Sequence, residues 1–165
     1  MSILWNPWRY EYIKQFSTSK EEQKECLFCN LQKMNDEEAL ILYRGRFTFV
    51  ALNAYPYNSG HLMIAPYIHV AEPLELNNET LLEMMMLVNK SIKILRHLFK
   101  PDGFNIGANI GRAAGAGVPG HFHVHIVPRW IGDTNFMAII ASTKPLPLSL
   151  KEAYEVIRKA WNEMS

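Results

Sequence analysis

Gly120-His-Phe-His-Val-His-Ile-Val-Pro-Arg-Trp130 puts histidine at positions 121, 123 and 125, half of the six in the chain. An extended strand repeats its side-chain direction every two residues, so the three imidazoles share one face. Phe122, Val124 and Ile126 then share the other face, the one that suits a core. A strand that is apolar on one side and wholly imidazole on the other is not arranged for stability. Its polar face points to binding or to chemistry.

Working outward, residues 104–110 read as a strand and residues 121–127 as its antiparallel neighbour. Between them, Gly111-Arg-Ala-Ala-Gly-Ala-Gly-Val-Pro-Gly120 has four glycines in ten residues, a loop whose backbone can approach a ligand closely. Residues 40–43 and 47–52, separated by Arg44-Gly-Arg46, read as a hairpin, and residues 62–65 as a further strand between Asn58-Ser-Gly60 and Pro66. Leu81, Met85, Val88, Ile92 and Leu95 recur at helical spacing over residues 79–98, with Asn77 or Asn78 able to cap the start. A last helix over about 148–164 carries Leu150, Tyr154, Ile157 and Trp161 on one side. About five strands around one long helix and a C-terminal helix predict an α+β domain with an antiparallel sheet. No repeat or Pro/Gly/Ser linker divides residues 1–165, so a single domain is expected, with an N-terminal extension over about 1–24.

Composition narrows the function classes. Seventeen basic residues against sixteen acidic ones leave a net charge of +1, which argues against a nucleic-acid partner. No apolar run is long enough for a membrane-spanning helix, so no membrane partner is expected. The first ten residues have neither a basic region nor an apolar signal segment, so a cytoplasmic location is expected. The two cysteines are spaced Cys26-Leu-Phe-Cys29, which in a reducing compartment suggests metal or redox chemistry over a structural disulfide.

Three aligned histidines can bind metal or do nucleophilic chemistry. One ion cannot hold all three, because the ends of a five-residue strand stretch lie roughly 13 Å apart. Nucleophilic attack by one histidine, tuned by its neighbours, is the alternative. The glycine loop favours it, since attack on phosphorus needs donors around the non-bridging oxygens and backbone N–H groups supply them. For the cysteines, a pair of small buried residues competes with a metal site. A redox pair lacks its usual βαβ setting, and structural zinc needs two further ligands.

The sequence resembles the histidine triad (HIT) nucleotide hydrolases and transferases. His121-Phe-His-Val-His-Ile-Val127 matches their His-x-His-x-His signature without a gap. The likeness extends over Cys26-Leu-Phe-Cys29, Gly60-His-Leu-Met-Ile-Ala-Pro66 and Phe104-Asn-Ile-Gly-Ala-Asn109. Leu4-Trp-Asn-Pro-Trp-Arg9 and Pro128-Arg-Trp-Ile-Gly-Asp-Thr-Asn-Phe136 look like the diadenosine tetraphosphate phosphorylase-like and Fhit-like branch.

The resemblance implies a HIT-like fold and a covalent mechanism. His123 is expected to attack the α-phosphorus of an adenine dinucleotide polyphosphate, forming a nucleotidyl-histidine that passes to water or phosphate. His125 would contact the phosphate oxygens and assist the leaving group, and the His121 carbonyl would accept from His123 Nδ1. Asn109 would bind phosphate or the bridging oxygen, Asn53 the ribose hydroxyls, and His61 would lie on the sheet surface beside the nucleotide. Many relatives have a Ser or Thr just before the first histidine, where this chain reads Gly117-Val-Pro-Gly120. Backbone amides of Gly115, Gly117 and Val118 would stand in for that hydroxyl. By the same resemblance Cys26, Cys29, His69 and His121 would hold a structural zinc ion, substrate can arrive with Mg²⁺, and the protein would be a homodimer. The alternatives are an adenosine phosphoramidate hydrolase of Hint type and a catalytically weak nucleotide-binding regulatory module.

The remaining features read as structural. His97 suits the last turn of the long helix, Met84 to Met86 suit packing, and Trp5, Trp8 and Trp161 suit a core or interface. Trp130 flanks the histidine strand, where an aromatic ring could stack on or enclose a base.

Overall fold

A computed structural model describes residues 26–133 and 147–164; the expected N-terminal extension, with Trp5 and Trp8, lies outside them. Five strands form one antiparallel sheet: β1 (Ile41–Arg44), β2 (Thr48–Leu52), β3 (Leu62–Pro66), β4 (Gly103–Gly107) and β5 (Val124–Arg129). Their order is β1-β2-β3-β5-β4, so β5 is interior and β4 an edge. A short helix α1 (Leu27–Leu31) precedes the sheet, the long helix α2 (Asn78–Phe99) joins β3 to β4, and α3 (Leu150–Glu163) follows β5.

Alternation divides the sheet into two faces. Val50 and Leu52 of β2, Leu62 and Ile64 of β3, and Ile126 of β5 join Phe122 in a core covered by α2 and α3. Phe49 and Ala51, with Met63 and Ala65, face the other way into a smaller cluster closed by Phe28 of α1. Both faces being covered, β2 and β3 are buried at every position.

The helices start and stop for local reasons. The Asn77 side chain accepts from the Thr80 amide at the start of α2, and Ser149 and Glu152 form a reciprocal capping box at α3. Glu83 of α2 accepts from the Arg46 and Phe47 amides and the Thr48 hydroxyl, clamping the β1–β2 turn. Thr80, Met84, Leu87, Val88, Ser91, Ile94 and Leu95 are the buried residues of α2. Met85, expected on the core face, is 56% exposed. The buried stripe is centred on Met84 and Val88 instead, and three consecutive methionines left the helical phase undetermined. On α3, Tyr154, Ile157 and Trp161 are buried as expected.

A polar latch fixes the far end of β5. Arg129 makes a two-pronged ion pair with Asp133 at 2.6 and 2.8 Å and donates to Asn105 Oδ1 of β4. Asn58, in the β2–β3 turn, donates to the Pro128 carbonyl and to Asp133. Trp130 donates its indole N–H to the Phe99 carbonyl at the end of α2. That bond ties the edge of the ring to the end of α2.

Candidate functional site

His121, His123 and His125 do share one face, although only His125 lies within the ladder. The strand expected from residue 121 begins at Val124, and the one expected to reach 110 ends at Gly107. The alternation nevertheless persists through the preceding residues, because the Phe122 amide bonds to the Val70 carbonyl and its ring enters the helix-side core. The imidazoles therefore face away from α2 and α3, with His121 and His123 against Phe28 of α1 and His125 against His61 and Tyr57.

Obligatory backbone groups set the protonation of each ring. The His121 carbonyl can only accept, so His123 Nδ1, 2.8 Å away, carries the hydrogen and Nε2 keeps the lone pair. The Pro66 carbonyl likewise takes His121 Nε2–H at 2.9 Å, leaving Nδ1 with a lone pair. The Tyr57 amide can only donate, so His61 Nδ1 accepts and Nε2–H points at His125 Nδ1, 2.9 Å away. Neutral His125 consequently carries its hydrogen on Nε2. Two neighbouring rings thus present opposite character, a lone pair on His123 Nε2 and a hydrogen on His125 Nε2. Their centroids are 4.7 Å apart.

Burial keeps the His61, His121 and His123 rings neutral. It lowers the pKa of His123, which is 5% exposed, against the opposing pull of the His121 carbonyl. Burial lowers that of His121 in the same way, with His69 and His123 adding to it and the Pro66 carbonyl opposing. His61 is pushed down to about 3, first by burial and then by the neighbouring His125 and His123. Charged imidazolium is disfavoured in such surroundings, so a lone pair on His123 is available at neutral pH.

His61 corrects one expectation: it is fully buried behind His125, stacked on Tyr57 with centroids 4.8 Å apart, not spread on the sheet surface. Gly60 before it adopts φ +78°, and a Cβ there would lie 3.0 Å from the Phe99 ring, so the turn that delivers His61 needs glycine. Asn53 reaches His61 Nδ1 at 3.3 Å and accepts from the Tyr55 amide, at the half-exposed rim of this cluster. Asn109 lies two residues beyond Gly107, the residue paired with His125, and reaches across the loop to the Gly115 carbonyl at 3.5 Å.

The glycine loop begins with a tight turn. Gly115 closes it at φ +83°, with its amide donated to the Arg112 carbonyl, and the Ala116 amide bonds to Gly111. The Gly115 amide is therefore already used, contrary to the expectation that it faces a phosphate. Gly117 and Val118 are left to fill that role. Val118 packs on the small cluster while its carbonyl accepts from the His121 amide.

Cys26, Cys29, His69 and His121 come together with their ligand atoms all within 4.8 Å of one another. Cys26 Sγ is 3.3 Å from His121 Nδ1, Cys29 Sγ 3.4 Å from His69 Nδ1 and 3.7 Å from His121 Nδ1. Tetrahedral zinc, with about 2.3 Å to sulfur and 2.0–2.1 Å to nitrogen, separates S and N ligands by about 3.5 Å. Four donors, the spacings and the free lone pair on His121 Nδ1 all fit that ion. Sequence reasoning missed two contributors, Phe28 and Tyr57. Phe28 sits between the two cysteines, and its place beside the ligands was the available signal.

Residues 35–130 match the HIT domain family model. The chain belongs to that family. An AP-4-A phosphorylase of Mycobacterium tuberculosis is 36% identical over 162 residues, covering 96% of this chain and 83% of the relative. A hypothetical histidine triad nucleotide-binding protein from Sulfolobus tokodaii has a similar structure, with TM-score 0.64, 33% identity, and coverage of 84% of this chain and 90% of that one. A Zn-bound histidine triad family protein from Mycobacterium smegmatis shares the fold at TM-score 0.68 and 23% identity, covering 85% and 95% of the two chains. The long helix, the five-strand antiparallel sheet and the histidine row of this HIT domain are thus those of an α+β enzyme family.

Proposed function

We propose that this HIT domain cleaves the α-phosphate linkage of adenine dinucleotide polyphosphates, such as diadenosine tetraphosphate, through a covalent nucleotidyl-histidine on His123. The observation that carries the reading is the opposite character of two adjacent rings: a lone pair on His123 Nε2 beside a hydrogen on His125 Nε2. In the first step Nε2 of His123 bonds to the α-phosphorus and the bridging P–O bond breaks. The departing polyphosphate leaves as an anion whose oxygen accepts a hydrogen bond from the His125 Nε2–H, and the His121 carbonyl keeps its hold on the Nδ1–H of the resulting His123 imidazolium. Water or inorganic phosphate then attacks the same phosphorus and releases His123.

Asn53 supplies an amide suited to ribose hydroxyls, and Asn109 with the Gly117 and Val118 amides suits the phosphate oxygens. Mg²⁺ would accompany the substrate as counter-charge. Cys26, Cys29, His69 and His121 would hold a structural zinc ion, with the cysteines as thiolates in a reducing, cytoplasmic compartment. A homodimer joined along β4 completes the proposal: β4 is an edge strand and its Ile106 is exposed.

Product analysis with diadenosine tetraphosphate tests the reading. ADP plus ATP in the presence of phosphate identifies phosphorolysis, and AMP plus ATP hydrolysis. Turnover of adenosine phosphoramidate alone moves the substrate to the Hint class. Absence of any adenylate trapped on His123 overturns the covalent step, and light scattering of the eluted protein decides between dimer and monomer.

A further inference from the structure

Phe28 occupies the position between Cys26 and Cys29, and it is 1% exposed. Its ring packs on two of the three histidines: the centroid lies 5.1 Å from that of His121 at 41° and 4.6 Å from that of His123 at 39°. On its far side it meets Phe49 at 6.4 Å. One aromatic ring thus separates the metal-ligand cluster from the nucleophile's ring and touches both.

The helix that carries Phe28 is weakly held at its N-terminal end. It is five residues long, and its N-cap, Cys26, makes no side-chain capping bond. A single turn of helix does not persist on its own propensity. Its C-terminal end is held by Leu31 against the small cluster and by Gln32, which donates to the Tyr67 carbonyl and accepts from Arg44. Its N-terminal end is fixed by the Phe28 side chain and the two flanking cysteines, both of which face His121 or His69. Ligation of those cysteines fixes the N-terminal turn of α1, that turn carries the Phe28 ring, and the ring forms one wall against His123. The His125 ring lies 4.7 Å from that of His123 as well, and the His123 Nδ1–H is held by the His121 carbonyl, which belongs to a ligand residue.

We propose that Phe28 is a positioning residue that couples metal occupancy of the Cys26-Cys29-His69-His121 cluster to the orientation of the His123 ring. The coupling is a property of the fold; its effect on turnover rests on His123 being the nucleophile. With the cysteines ligated, the ring is held against His123 and Nε2 keeps a single direction. With them unligated, α1 loosens and His123 samples more than one.

The test reads the His123 ring directly by ¹⁵N–¹H correlation in the full chain loaded with zinc, assigned against His123→Asn. The wild type should show a slowly exchanging Nδ1–H that broadens on chelation. Phe28→Leu should keep one zinc per chain yet show the broadened signal already, with chelation adding little. Its kcat should fall roughly 10- to 100-fold, while KM moves within about twofold. A sharp Nδ1–H in zinc-loaded Phe28→Leu, or equal chelation effects in both proteins, overturns the coupling. Should Phe28→Leu not fold, cadmium in place of zinc in the wild type provides the second measurement. The larger ion should shift the His123 ring signals, and unshifted signals with cadmium bound overturn the proposal. Altered ring signals with unaltered kcat keep the coupling and refute the nucleophile assignment instead.

Discussion

The two faces of the sheet are made by the same strands in alternation, yet they bury different chemistry. On the helix side, β2, β3 and β5 contribute Val50, Leu52, Leu62, Ile64 and Ile126 to a cluster that also takes in Ile94, Leu95 and Trp161. On the other side Phe49, Ala51, Met63 and Ala65 form a smaller cluster with Phe28 and Leu31 of the five-residue helix, Ala39, Ile41, Tyr67 and Val118, and the buried polar residues His61, His121 and His123 lie there. The helix face supplies most of the buried apolar area, which is the chief stabilising contribution. The histidine face keeps neutral imidazoles out of water, at a cost that the helix face offsets. Stability and chemistry are therefore separable by substitution.

The sharpest break comes from removing His123, the proposed nucleophile. His123→Ala should lower turnover of diadenosine tetraphosphate by at least about 10³-fold, with the melting temperature and AMP affinity close to wild type. Steady-state kinetics beside calorimetric titration checks both halves, and retained turnover would sink the covalent role.

On the helix face the pattern should invert. Leu95, fully buried between α2 and the sheet, should cost about 3 kcal/mol of stability when changed to Ala. Turnover per folded molecule should hold, as denaturant melts and active-site-normalised rates will show. A large loss of kcat at full folding would show that the faces are not independent.

Acid should strike the histidine face first. His61 has a folded pKa of about 3 against an ordinary 6.5, so between those values the unfolded chain binds the extra proton. Stability therefore rises with pH across that window: it is fully present above about 6.5 and is lost as pH falls toward 3, by on the order of a few kcal/mol. In His61→Asn the slope of stability against pH from 6.5 to 4 should flatten. An unchanged slope in urea melts would contradict the buried neutral ring.

The smallest effect is a local one on α2. Asn77→Ala removes the cap on the Thr80 amide and should cost about 1 kcal/mol, visible as a shift in melting midpoint with kcat unaltered.

The histidine row was legible because strand period needs no knowledge of neighbours, and three residues two apart declare a face by themselves. The cysteine–histidine cluster was legible only through family likeness, since Cys29 and His69 are forty positions apart and nothing local links them. Helix α2 was legible in extent but not in phase: Met84, Met85 and Met86 are equally apolar, and only the sheet and α3 select Met84 for burial. The glycine loop was legible as close-approach backbone, while the donation of the Gly115 amide to Arg112 depended on a turn that composition does not specify.

From sequence alone came the alternation that puts His121, His123 and His125 opposite Phe122 and Ile126, because side-chain direction along an extended chain is local geometry. Tertiary structure decided which hydrogen each ring carries, through carbonyls and amides that folding brings from Pro66, His121 and Tyr57. An imidazole's tautomer depends on what faces it, and no residue type carries that information in itself.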